Sequence, residues 1–270
     1  MQQWNKNETA RGSDCCERER GAAIRSKVER LFSDRSVALF LDIDGTLLDV
    51  ALTPLTVHVP PDLAELLEML SSRLSGAMAI ITGRPIAEAD NLLRPWKFAA
   101  AGVHGGEMRM SAMETIQALT PTFNPELHND LKTIADAMPG VVLEDKGAGI
   151  AMHYRMVPNL REPLLALLET LIQKYPGQLA ICEGRKVVEV LPVGFSKGRA
   201  LRKLAGLPQF VNRVPVMIGD DISDIDAFHA AEALGGYGMK VAGENFAQSE
   251  ASFSGPQDVL AWLKKQSQAL

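Results

Sequence analysis

The chain has 270 residues, of which 46% are hydrophobic and 23% charged, and a net charge of −5. These values suit a globular protein with one large core or two modest ones, and they exclude binding of nucleic acid or an anionic membrane through bulk positive charge. Cys15 and Cys16 are adjacent and Cys182 stands alone in an apolar run, so no disulfide framework or metal-ligand spacing arises. With a polar start and no apolar run near the ~20 residues of a membrane span, a cytoplasmic protein is expected.

Residues 1–22 are polar, mixed in charge and aperiodic, which reads as a disordered tail. A short helix is predicted from Ala22 to Phe32, with Ile24, Val28 and Leu31 on one face. Ser36 to Ile43 is an almost unbroken apolar run that ends in acidic residues and Gly45, the pattern of a buried parallel strand opening into a loop. A helix from Pro61 to Ser72 leads to a second such strand, Ala77–Ile81, which ends in Thr82-Gly83-Arg84-Pro85. A third strand spans Phe98–Val103 and ends at His104, and Val214–Ile218 is another, ending in Gly219-Asp220-Asp221. Strands alternating with helices predict an α/β fold with a doubly wound parallel sheet, whose strand ends converge on one crevice.

Between about residues 120 and 193 the pattern changes. A helix (Pro125–Met138) precedes two strands (Val141–Glu144 and Gly149–Tyr154), and a second helix (Pro163–Tyr175) precedes two more (Gln178–Glu183 and Lys186–Leu191). Turns at Lys146-Gly147 and Gly184-Arg185 join each pair, so an α+β module with an antiparallel sheet is expected to interrupt the parallel domain. The predicted division is a core of residues 23–119 plus 194–270, and a cap of residues 120–193.

Asp42 and Asp44 alone read equally well as turn formers. A carboxylate nucleophile beside a cation, with a second carboxylate to move a proton, needs two such groups where the chain bends, and Gly45 permits the bend. Thr82 and the amides beside it could donate to a phosphate, although threonine and glycine before a helix also make an ordinary cap. Lys197, in Ser196-Lys197-Gly198, could offset carboxylates and a phosphoryl group. Asp220, Asp221 and Asp224 crowd three carboxylates into five residues, which is awkward without a cation among them.

Asp-x-Asp, Thr, Lys and Gly-Asp-Asp in that chain order resemble the haloacid-dehalogenase superfamily over about residues 36–270 and, within it, the trehalose-6-phosphate phosphatases. The resemblance implies Asp42 as nucleophile, Asp44 as general acid and base, and Thr82 and Lys197 as contacts to phosphate and nucleophile. It implies Mg²⁺ on Asp42, the Asp44 carbonyl and Asp220, with Asp221 and Asp224 nearby. The narrower likeness rests on the His104-Gly105 turn, on Glu144-Asp145-Lys146 followed by His153-Tyr154-Arg155, and on Glu189-Val190-Leu191-Pro192. By this likeness Glu144, Lys146 and Glu189 read sugar hydroxyls, with Gly83, Arg84, His104 and Arg155 as further substrate contacts. His153 is left as a structural residue.

Two positions depart from the family pattern. Ile225 stands where a carboxylate is usual, and Leu191 where an arginine is usual. The expected partner is a sugar phosphate, with a functional link to a trehalose-phosphate synthase and no nucleic acid or membrane. A phosphatase for another sugar phosphate, a weakly active partner of such a synthase, and a phosphotransferase on the same core remain alternatives.

Overall fold

The computed structural model describes residues 21–50, 57–119 and 124–268. The expected tail falls outside the described residues up to position 20, while Gly21 and Ala22 already belong to the first helix, α1 (21–33).

Seven strands form the larger sheet: β1 (Val37–Leu41), β2 (Met78–Ile81), β3 (Ala99–Gly102), β4 (Glu107–Arg109), β5 (Gln117–Ala118), β10 (Val214–Gly219) and β11 (Tyr237–Lys240). Their order is β11-β10-β1-β2-β3-β4-β5. The pairs from β11 through β3 are parallel, and β4 and β5 add an antiparallel edge that no sequence signal marked. β1 (VALFL) is buried at every position, as a central strand covered on both faces must be. Helices α2 (Leu63–Arg73), α3 (Ile86–Leu92), α6 (Lys197–Ala205), α7 (Ile225–Ala233) and α8 (Pro256–Gln268) complete the layers with α1. Phe32 of α1 and Phe253, just before α8, each meet Trp262 of α8 edge-on, at 5.3 and 5.4 Å between ring centres.

The register aims the strand ends at one place. Leu41 pairs with Ile218 on β10, and with Ile80 on β2. Asp42, Thr82 and Asp220 therefore leave three adjacent strands at the same edge. The Asp42 amide donates to the Ile218 carbonyl (3.1 Å), which extends the ladder into the site.

The second sheet is antiparallel, ordered β6-β7-β9-β8, from β6 (Val142–Asp145), β7 (Ile150–His153), β8 (Leu179–Gly184) and β9 (Val187–Pro192). One face packs on α4 (Pro125–Asp136) and α5 (Arg161–Ile172), where Leu131, Leu164, Leu168, Ile150, Met152, Val188 and Val190 build a core of their own. Asn124 caps α4 by accepting the Glu126 amide. Period-two alternation then sends Glu144, Ala151 and Glu189 to the opposite face, in one row across β6, β7 and β9. Leu191 is buried with Val103 of the larger unit and Ala148, so this departure from the family pattern sits in an apolar seam.

Candidate active site

Between the two sheets lies a cavity of about 800 Å³. Every residue that the sequence nominated lines it except Asp224, which is fully buried behind Lys197. Lys197 opens α6, where the Ser196 hydroxyl accepts the Arg199 amide as N-cap. The neighbouring Gly198 amide donates to Asp226 Oδ2 (3.1 Å), and a Cβ at Gly198 would stand 2.4 Å from that residue, so close packing of α6 on α7 sets the lysine. Ile225 takes the family's carboxylate position and packs against the core.

On the floor, Lys197 Nζ lies 3.1 Å from Asp42 Oδ1 and 2.7 Å from Asp224 Oδ1. Asp224 Oδ2 accepts the amides of Asp220 and Asp221 at 3.1 and 3.0 Å. Carboxylate oxygens of Asp42, Asp220 and Asp224 all fall within 4.8 Å of one another. Asp220 Oδ1 is buried without a hydrogen-bond donor. Burial raises the Asp42 carboxyl well above its usual range, against the pull of Lys197 and with Asp224, Asp220 and Asp44 adding to the rise. Burial, then Asp224 and Asp221, push Asp220 to about 8. For Lys197, burial acts downward but Asp224 and Asp42 outweigh it, and its pKa stands well above the usual value. Lys197 and, 3.8 Å from Asp220 at the edge, Arg185 do not balance this group, and an orphaned carboxylate oxygen is what a cation would satisfy, so the donor set fits a hard divalent ion.

Gly45 is required by the same packing. Its φ is +79°, and a Cβ there would stand 2.0 Å from Asp220 Oδ2.

Asp44 is clamped. Arg84 Nε and Nη2 donate to its two oxygens at 2.6 and 2.7 Å, in a bidentate fork. Thr82 Oγ1 accepts the Arg84 amide (3.2 Å), which fixes the turn that carries the fork.

The roof comes from the smaller sheet and arrives charge-paired. Lys146 Nζ reaches Glu189 Oε1 (2.5 Å) and the Gly83 carbonyl (2.9 Å). His104 Nε2 lies 2.6 Å from Glu189 Oε2 but is not aligned for a hydrogen bond. Burial would raise Glu189, yet Lys146 and His104 outweigh it and hold the carboxyl far below its usual range. His153 Nε2 contacts Glu144 Oε2 at 2.6 Å, and this bond holds Glu144 below the ordinary value against its burial. His153, read from the sequence as structural, lines the cavity as the partner of Glu144. The alternation that puts it on the Glu144 side of the sheet was the available signal. Arg155 donates to the Arg185 carbonyl (3.3 Å) at the β8–β9 turn. Arg185 itself lines the cavity, and the sequence marked it only as part of a turn.

A trehalose-phosphatase family model matches residues 40–257. A trehalose-6-phosphate phosphatase of Escherichia coli (strain K12) is 36% identical over 234 residues, covering 86% of this chain and 87% of that protein. A probable trehalose-phosphate phosphatase of Sinorhizobium fredii is 40% identical over 204 residues, covering 76% of this chain and 77% of that one. The C-terminal domain of a trehalose-6-phosphate phosphatase from C. albicans superposes with a TM-score of 0.77 at 21% identity, covering 91% of this chain and 97% of the other, a likeness of fold. The chain belongs to the trehalose-phosphatase family.

Proposed function

We propose that this protein hydrolyses trehalose 6-phosphate to trehalose and phosphate through an aspartyl-phosphate on Asp42. The observation that supports the reading is one cavity in which Lys197 bridges Asp42 and Asp224 at the floor while Glu144, Lys146 and Glu189 line the roof. Asp42 and Asp220 would hold Mg²⁺, with the Asp44 carbonyl as the further ligand the family implies and Asp221 and Asp224 nearby. When bound, Mg²⁺ neutralises charge on the phosphoryl oxygens and on Asp42.

Asp42 Oδ1 rests on Lys197, which keeps the buried carboxylate oriented for in-line attack. Thr82 and the turn through Gly83 and Arg84 offer donors to the other phosphoryl oxygens. An incoming phosphate dianion competes with Asp44 for the Arg84 guanidinium. As the fork turns to the phosphate, Asp44 is freed to take up a proton from water and pass it to the departing sugar oxygen as the P–O bond to the sugar breaks, and afterwards it takes a proton from the attacking water. On the roof, Glu189 and Glu144 exchange their present partners for sugar hydroxyls, with His104 and Arg155 beside the sugar. A substrate without those hydroxyls leaves buried charged groups unpaired, which is how such a site discriminates.

The same reading assigns the core to residues 23–119 plus 194–270 and the cap to 120–193, supported by the start of α4 at Pro125 and the end of β9 at Pro192. Cap opening would release trehalose. Hinges near residues 120 and 193 would carry this motion, and the first of these positions lies outside the described residues. No helix among the described residues is long and apolar enough to cross a membrane. A cytoplasmic location, membership of the haloacid-dehalogenase superfamily, and a trehalose-phosphate synthase supplying the substrate complete the proposal.

The test is phosphate release from a panel of phosphorylated sugars, with Mg²⁺ and with EDTA. Expected are a strong preference for trehalose 6-phosphate over glucose 6-phosphate and loss of turnover in EDTA. Equal rates on the two sugars would remove the substrate assignment, and full activity in EDTA would remove the cation.

A further inference from the structure

The cap meets the core a second time, away from Glu189, through the tip of the β8–β9 hairpin. The Arg185 amide donates to Asp221 Oδ2 (3.2 Å), Arg185 Nε lies 3.0 Å from Glu244 Oε2, and Lys186 Nζ lies 2.6 Å from Glu244 Oε1. The core fixes the other side of Asp221, since Asn245 Nδ2 and the Ile222 amide both donate to Oδ1 at 2.7 Å. Both oxygens of Asp221 are thus occupied, and it lies outside the Asp42–Asp220–Asp224 cluster. Gly184 completes the fit, because a Cβ there would approach Asp221 Oδ2 to 3.0 Å.

We propose that Asp221, Glu244 and Asn245 form a seat on the core for the hairpin tip Gly184–Lys186, and that Asp221 and Glu244 are positioning residues that set cap closure, not cation ligands. The inference rests on the sugar-phosphate reading above. The seat holds Arg185 at the cavity edge, with Nη1 3.8 Å from Asp220 Oδ2, and anchors the turn that leads into β9 and Glu189. Glu244 is 38% exposed, so its ion pairs are screened by water and salt and can release in each turnover.

The test uses the full chain and three readouts. They are kcat and KM on trehalose 6-phosphate, the rate on a small aryl phosphate that does not reach the cap's polar face, and the Mg²⁺ midpoint of the thermal shift. Glu244→Gln should raise KM about threefold and Glu244→Lys about tenfold, with kcat, the aryl phosphate rate and the Mg²⁺ midpoint within about twofold of wild type. Asp221→Asn and Gly184→Ala should raise KM in the same way, again without moving the Mg²⁺ midpoint. A tenfold shift of that midpoint in Asp221→Asn would make Asp221 a cation ligand and overturn the seat. Unmoved KM in Glu244→Lys and Gly184→Ala would also overturn it, while leaving the substrate reading intact. A wild-type chain that releases no phosphate from trehalose 6-phosphate overturns the substrate reading, and the seat as a closure device with it.

Discussion

The floor and the roof of the cavity are both buried and both charged, yet they handle charge in opposite ways. The floor gathers three carboxylates, Asp42, Asp220 and Asp224, around Lys197, with Arg185 3.8 Å from Asp220 at its edge. On the roof each of the two carboxylates has a nitrogen partner of its own, Glu189 with Lys146 and the His104 ring beside it, and Glu144 with His153. A cluster with more carboxylates than cations needs a ligand of opposite sign to become stable, whereas one whose carboxylates each have a partner can hold its geometry while empty. On the proposed reading the floor serves chemistry on any phosphate, and the roof recognition of one leaving group.

That contrast predicts how variants divide. Asp42→Asn should cost the most, at least about 10³-fold in kcat on sugar and aryl phosphates alike, with an unchanged melting temperature. Wild-type phosphate release from this variant would refute the nucleophile assignment. Gly45→Ala should follow, because a side chain at φ +79° would collide with Asp220. Expected is a weakening of the Mg²⁺ midpoint of about tenfold or more, read by thermal shift.

A roof variant should behave differently. Glu189→Gln should raise KM on trehalose 6-phosphate by about 10²-fold and affect a small aryl phosphate by less than about fivefold. Equal losses on the two substrates would erase the distinction between floor and roof. The same variant carries a pH signature. Glu189 is held below its unfolded value, so its contribution to stability is present above about pH 4.5 and is lost as pH falls through the depressed folded value. Wild type should therefore exceed Glu189→Gln by about 3 kcal/mol at pH 7, with the gap closing under acid in paired melts. The smallest effect is expected at His153→Gln, a rise in KM of about threefold with kcat retained, since a partly exposed partner of Glu144 is lost.

Much of this was legible before any coordinates. The buried run before Asp42, the apolar strands before Thr82 and Asp220, and the doubled helix–strand–strand pattern of the cap are periodicities, and local sequence encodes them. The order Asp-x-Asp, Thr, Lys, Gly-Asp-Asp also placed the floor residues, because parallel strands deliver their ends to one edge. Partnership across the chain was not legible. Arg84 carries a fork onto Asp44 forty residues away in sequence, and Asp226 accepts the Gly198 amide across twenty-eight. Asp221 shows the limit best, because its neighbours in sequence suggest a cation while its neighbours in space are Asn245 and the Arg185 amide. Sequence alone determined which residue types stand at the strand ends, since burial and periodicity are properties of consecutive side chains. Only the tertiary structure decided which charges neutralise one another, because hydrogen bonds and ion pairs act over a few ångströms of space, whatever the separation along the chain.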